Sequence, residues 1–213
     1  MADDIIRVLL VDDHPVVRDG LRLMLGMAAG VRVAAEAENA AQAMARIREQ
    51  DFDVAIVDVA MPGTNGLELL QALRARRPAL AVLMLSTYAE EVYALRSLRL
   101  GASGYLVKST PAATLLEAVR KAAAGGRYVS PSMTDRFVGM LAGGNLGVHD
   151  VLSNRELEVM RRIAQGEGLV QIAESLHLSP KTVTTYRARI MEKMGLHNNV
   201  ELVRYAMEHG LLL

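Results

Sequence analysis

Val54-Ala55-Ile56-Val57-Asp58 is an apolar run that stops on an acid. A strand covered on both faces reads as a continuous apolar run, so this stretch belongs inside a parallel sheet. Three further runs also end on polar residues: 5–11 before Asp12 and Asp13, 80–85 before Ser86, and 105–107 before Lys108. Helical patterns alternate with them. Val17, Leu21, Met24 and Leu25 recur at helical spacing after His14 and Pro15. Asn39 caps an Ala-rich helix over 40–50, residues 67–77 form a helix stopped by Pro78, and residues 89–100 form one ended by Gly101. Thr110 and Pro111 open a fifth helix in cap-then-proline order. With residues 31–37 as the remaining strand, five strand-helix units predict an α/β fold, a five-stranded doubly wound parallel sheet over residues 1–124.

The alternation ends at Gly125. Residues 125–150 hold six glycines and weak periodicity, and read as a linker with one short helix over 131–141. Beyond it every pattern is helical. Ser153 and Glu156 have capping-box spacing, and Leu157, Met160 and Ile163 or Ala164 form the buried stripe of a helix ending at Gly166. A short helix over 169–176, a tight turn over 177–179, a basic helix over 180–194 and a last helix over 199–209 complete a smaller all-α domain over residues 151–213.

Bulk numbers narrow the class. In 213 residues the hydrophobic fraction is 51%, so the chain can bury real cores, and there is no cysteine for disulfides or thiolate metal sites. No stretch approaches the roughly 20 apolar residues of a membrane span, and the acidic start is unlike a signal peptide. A cytoplasmic protein is expected. Net charge is zero, yet residues 180–194 carry Lys181, Arg187, Arg189 and Lys193 against Glu192 alone.

The strand ends carry the chemistry, because in open α/β sheets ligands sit beyond the carboxyl ends of the strands. Asp12, Asp13 and Asp58 converging there repel, by about 1 kcal/mol per pair at 4 Å even in water. A divalent cation relieves this. Oxygen ligands, with no cysteine and no histidine expected to converge, indicate a hard ion, Mg²⁺. Phosphoryl transfer needs a nucleophile and charge neutralisation more than acid-base machinery. Asp58 supplies the nucleophile, Lys108 holds transferred oxygens and Ser86 donates to one of them. Taken singly, each residue has a plainer role: a loop acid, a surface amine, a core tyrosine at Tyr105. Two other classes compete. A phosphohydrolase wants Asp-x-Asp after the first strand, where this chain has adjacent acids; a dinucleotide enzyme wants G-x-G-x-x-G, which is absent there.

In the helical domain, a short helix, a tight turn and a basic helix fit a helix-turn-helix, and equally an ordinary bundle. Val183, Ile190 and Met194 should pack inward. The candidate DNA contacts are Lys181, Thr182, Thr184, Thr185, Arg187, Ala188, Arg189 and Lys193, with the cations serving phosphates and Thr and Ala reaching base edges.

The Asp12-Asp13-His14-Pro15 start, Asp58 followed by "MPGTNG", "LSTY" around Ser86 and "GASGYLVKS" around Tyr105 and Lys108 resemble a two-component receiver domain, which is flavodoxin-like. "LSNRELEVMRRIAQG", "IAESLHLSPKTVTTYRARI" and "EKMGLHNNVELVRYAMEHGL" resemble the LuxR-type DNA-binding domain. The whole chain thus resembles the NarL/FixJ family of response regulators, and "SPKTVTTYRARI" with "HGL" is most similar to GacA/UvrY-like members. The resemblance implies that Asp12 and Asp13, with Asp58 and the Ala60 carbonyl, hold Mg²⁺. It implies that Asp58 takes a phosphoryl group from the phosphohistidine of a sensor histidine kinase and that Lys108 contacts it. Ser86 and Tyr105 then move together as a switch, and homodimers bind double-stranded DNA. The protein is then a phosphoacceptor and transcription regulator rather than an enzyme acting on other molecules. A ligand-sensing LuxR-type regulator is the second alternative. Departures are Ala60 where Asn is common, Ser109 in place of proline, Leu169-Val170-Gln171, and Thr184 where Lys is common.

Overall fold

A computed structural model describes residues 5–61, 64–87, 91–130, 133–134, 148–209 and 211–212, without the side chains of 91, 92, 148 and 150. The chain divides into two compact units, residues 1–137 and 138–213. Most of the helix expected over 131–141, and Pro62 and Gly63 of the loop after Asp58, lie outside the described residues.

The first unit is a five-stranded parallel sheet in the order β2-β1-β3-β4-β5. Its strands are β1 (Ile6–Val11), β2 (Val31–Ala37), β3 (Val54–Asp58), β4 (Ala81–Ser86) and β5 (Gly104–Val107). The helices are α1 (Pro15–Gly26), α2 (Ala40–Glu49), α3 (Gly66–Arg76), α4 (Glu91–Arg99) and α5 (Ala112–Ala123). α1 and α5 cover one side, where Leu21, Leu25, Leu115, Ala118 and Val119 pack on Val8, Leu10, Ile56 and Leu83. α2 and α3, which touch each other, pack with α4 on the rest of the sheet. Every residue of β3 and β4 is buried. Each large aliphatic buried there stabilises the unit by roughly 1.5–3 kcal/mol.

The expected cap forms at Asn39, which accepts from the Gln42 amide, and Asn65 caps α3 in the same way, accepting from the Glu68 amide. At α5 the order differs. Pro111 itself occupies the cap position, and the Thr110 amide donates to the Val107 carbonyl in the preceding turn. The first unit does not end at Gly125, where the linker was expected to begin. Tyr128 bridges Gly104 beside β5 and is buried in the core of the first unit, because an edge strand leaves backbone and an apolar flank to cover.

The second unit is helical: a 3-10 turn (Val148–Val151), then α6 (Asn154–Ala164), α7 (Leu169–Ser175), α8 (Pro180–Met194) and α9 (Asn199–Glu208). It begins before residue 151, since the His149 amide and Nδ1 both bond the Tyr205 hydroxyl on α9, at 3.2 and 2.9 Å. Ser153 and Glu156 form the capping box, and both Ile163 and Ala164 join the buried stripe of α6. Val183, Ile190 and Met194 pack inward as expected. Between α7 and α8 the chain reverses through His177 at φ 53°, a left-handed conformation in which histidine is more often found than bulkier residues.

Candidate functional site

Strand order places β1 beside β3, and the topological switch point of such a sheet is where a crevice opens. Val11 pairs with Val57, so the next residues, Asp12 and Asp58, leave adjacent strand ends. Ser86 pairs with Val107, and the Lys108 amide donates to the Ser86 carbonyl at 2.7 Å. Lys108 Nζ then reaches across the rim to within 2.7 Å of Asp12 Oδ2 and 2.9 Å of Asp58 Oδ2. Asp12 and Asp58 are each only 1% exposed. The Ala60 amide donates to Asp58 Oδ1 at 3.2 Å.

Ligand atoms of Asp12, Asp13, His14 and Asp58 lie within 4.8 Å of one another. A histidine does therefore converge, against the sequence expectation. His14 Nδ1 stands 3.2 Å from Asp12 Oδ1 and 3.0 Å from Asp13 Oδ1 because the first turn of α1 begins directly after the acids. Two carboxylate oxygens, Asp12 Oδ2 and Asp13 Oδ1, are buried without a hydrogen bond of good directional geometry, although Lys108 Nζ and His14 Nδ1 stand 2.7 and 3.0 Å from them. Buried oxygens in that condition suit a cation ligated through oxygen.

Burial and the neighbouring Asp12 charge raise the Asp58 pKa above its ordinary 3.8, against the opposing pull of Lys108 and the Ala60 amide. For Lys108, burial alone would lower the pKa; the close contact with Asp12 and the charge and hydrogen bond of Asp58 reverse this, and it stands above 10.5. Lys108 is thus a permanent ammonium shared by two acids.

Ser86 is fully buried and Tyr105 is 2% exposed. Tyr105 pairs with Met84, and residues two apart on a strand share a face, so Tyr105 and Ser86 lie on the same side of adjacent strands. Gly66, the first residue of α3, has a less visible role. A Cβ there would stand 2.0 Å from the Asp58 carbonyl oxygen, so only glycine lets α3 start this close to the end of β3.

Two neighbours of the acids went unread in the sequence, His14 as a converging group and Arg18 altogether. The signal for Arg18 was there: it falls at i, i+3, i+7 with Leu21 and Leu25, a charged residue on the buried stripe of α1.

In the second unit α8 exposes Lys181, Thr184, Thr185, Ala188 and Arg189. Both threonine hydroxyls donate to backbone four residues earlier, Thr184 to Pro180 at 2.9 Å and Thr185 to Lys181 at 3.0 Å, so methyl groups and lone pairs face outward. The Thr182 hydroxyl is 2.8 Å from that of Ser179, which caps the helix. Arg187 Nε donates to Asn199 at 2.8 Å. Lys193 differs from expectation: its Nζ donates to buried Glu156 at 2.7 Å, clamping the end of α8 to the start of α6.

Among the described residues no helix is long and apolar enough to cross a membrane. Residues 8–120 match the family "Response regulator receiver domain" and residues 150–206 match "Bacterial regulatory proteins, luxR family". The response regulator GacA of Pseudomonas viridiflava is 36% identical over 97% of this chain and 98% of its own. UvrY of Escherichia coli K12 is 34% identical over 97% and 95%. RcsB of Salmonella enterica serovar Typhimurium, solved bound to a promoter in the presence of the phosphomimetic BeF3−, aligns with TM-score 0.67 and 28% identity over 94% of this chain and 98% of that one. Sheet order, the acid cluster at its switch point and these matches lead to one conclusion: the chain belongs to the two-component response regulators, a transcription regulator with a receiver domain and a LuxR-type helix-turn-helix domain.

Proposed function

We propose that Asp58 accepts a phosphoryl group from the phosphohistidine of a sensor histidine kinase, and that the change is read out as altered binding of double-stranded DNA by α8. The observation that carries this reading is Lys108 Nζ shared between Asp12 Oδ2 and Asp58 Oδ2, at the rim where oxygens of Asp12, Asp13 and Asp58 converge. An Asp58 oxygen attacks phosphorus, the P–N bond to the kinase imidazole breaks, and the electron pair leaves with that nitrogen. Mg²⁺ fits the oxygen-rich cluster, held by Asp12, Asp13, Asp58 and the Ala60 carbonyl; when bound it neutralises the transferred oxygens. Lys108 pairs with one of those oxygens, and Ser86 donates to another. The chain catalyses only its own modification. The acyl phosphate carries about −1.5 to −2 charge and draws Ser86 toward it, with Tyr105 following on the same face.

For DNA, Lys181 and Arg189 serve phosphates, while the methyl groups of Thr184, Thr185 and Ala188 meet base edges. The division into a receiver over 1–124, a linker and a DNA-binding domain from 151 belongs to this proposal, with the linker shortened at both ends by Tyr128 and His149. Exposed Val200 and Met207 on α9 support a homodimer on paired half-sites, and the chemistry is that of a cytoplasmic regulator. The test is labelling by acetyl phosphate with Mg²⁺: wild type takes up stoichiometric, base-labile phosphate and Asp58→Asn takes up none. Labelling retained in Asp58→Asn refutes the assignment.

A further inference from the structure

Arg18 is buried, 8% exposed, one turn into α1. Its Nη1 donates to the Asp12 carbonyl at 2.6 Å, its Nη2 donates to Glu38 Oε1 at 3.0 Å, and its Nε lies 3.4 Å from Glu36 Oε2. We infer that Arg18 is a positioning residue for the acidic pair, fixing the peptide after Asp12 so that Asp12 and Asp13 present carboxylate oxygens to one divalent cation. This rests on the proposed reading of the cluster as a Mg²⁺ site.

Nearly every polar atom of Asp12 is committed. Its amide donates to Ala37 at 3.2 Å, its carbonyl accepts from Arg18, and its Oδ1 accepts from the His14 amide at 2.8 Å. Oδ2 is left, and it faces Lys108. The Asp12 amide ties the peptide before it to β2, and the Asp12 carbonyl, held by Arg18, orients the peptide plane joining Asp12 to Asp13. That plane sets the direction in which Asp13 departs. Glu36 and Glu38 offset the guanidinium charge, so Arg18 acts on the cluster by direction more than by neutralising it. Only a planar fork reaches a carbonyl and two carboxylates together; a lysine ammonium reaches the carbonyl and leaves a glutamate unpaired.

The experiment titrates Mg²⁺ into the unphosphorylated full chain by calorimetry, with urea unfolding run on each variant. Removing partners that orient metal ligands lowers affinity about 10–100-fold, which is the loss expected for Arg18→Ala, with Arg18→Lys recovering part of it. Ile47→Val, in the core away from the site, supplies a destabilised control. If Arg18→Ala and Arg18→Lys bind Mg²⁺ as tightly as this control, Arg18 merely stabilises the fold and the inference is overturned. Asp13→Asn separates the two failures. Loss of affinity in Asp13→Asn with none in the Arg18 variants sinks only the role of Arg18, whereas unchanged affinity in Asp13→Asn sinks the site reading and this inference with it.

Discussion

Replacing Gly66 with alanine tests how tightly the Asp58 strand end depends on its neighbour. The added Cβ would lie 2.0 Å from the Asp58 carbonyl oxygen, 2.8 Å from its carbonyl carbon and 2.9 Å from the Val59 Cα. All three are backbone atoms, so no side chain can swing aside. Carbon and carbonyl oxygen approach comfortably only to about 3.3 Å, so the start of α3 must retreat by about 1.3 Å. That movement strains the Gly66 amide's bond to the Val59 carbonyl, 3.0 Å, which closes the loop after Asp58. Overpacking against backbone costs about 3 kcal/mol, the upper end of its usual range, and alanine recovers about 1 kcal/mol through its lower conformational entropy in a helix. A net loss of about 2 kcal/mol is expected. Misplacing a reacting group by about 1 Å costs on the order of 100-fold in rate, so labelling of Asp58 by acetyl phosphate should slow by that order. Urea midpoints and labelling time courses on the same preparation measure both. A Gly66→Ala protein that labels at the wild-type rate with an unchanged midpoint refutes the close approach of α3 to β3 on which the geometry of the site rests.

Lys193→Ala should leave the salt dependence of DNA binding unchanged while destabilising the helical unit by about 1–2 kcal/mol, because it strips a partner from buried Glu156. Lys181→Ala and Arg189→Ala should each lower the slope of log Kd against log salt by about one; a flattened slope for Lys193→Ala instead contradicts the clamp. Burial pushes Glu156 up, but the Lys193 and Ser153 bonds outweigh it and hold the carboxyl below its ordinary 4.5. Its stabilisation is therefore complete above pH 4.5 and lost as pH falls through the depressed value; thermal melts of the helical unit should show that acid limb, and Glu156→Gln should flatten it. Asp58 has the opposite sign. With its pKa raised above 3.8, the ionised form costs the fold stability, and that cost disappears as pH falls through the raised value. Asp58→Asn should raise the urea midpoint at neutral pH without Mg²⁺, and a lowered midpoint rules out this balance.

What the sequence could and could not reveal follows from which interactions are local. The β3 run stopping at Asp58, the Asn39 cap and the inward Val183, Ile190 and Met194 depend on neighbours one to four residues away, and all were legible. Lys193 was not. Helical spacing placed it on an exposed, basic helix, but its head goes to Glu156, 37 residues away, a pairing set only when α6 crosses α8. Tyr128 escaped for the same reason, lying among glycines that suggest a linker while its ring finds the core beside β5. His14 read as a helix-start residue, and it is one; that its ring turns back over Asp12 and Asp13 depends on a side-chain torsion no pattern encodes.

Charge added at Asp58 has an obvious physical route outward, and it begins at Lys108. Two acids share this ammonium, so it is committed to neither, and a phosphoryl group on Asp58 would present several strong acceptors in place of one. Drawing Lys108 inward pulls on a backbone whose amide is bonded to the Ser86 carbonyl, so the ends of β4 and β5 must respond together. Ser86 is fully buried and cannot follow the new charge without leaving a gap behind it. Interiors are packed too closely to tolerate such a gap cheaply, and Tyr105, the largest buried side chain on that face, is the group in position to fill it. On the proposed reading, a switch through Ser86 and Tyr105 needs no separate signal: the densely packed pair β4 and β5 would convert added charge at Asp58 into a change in surface shape.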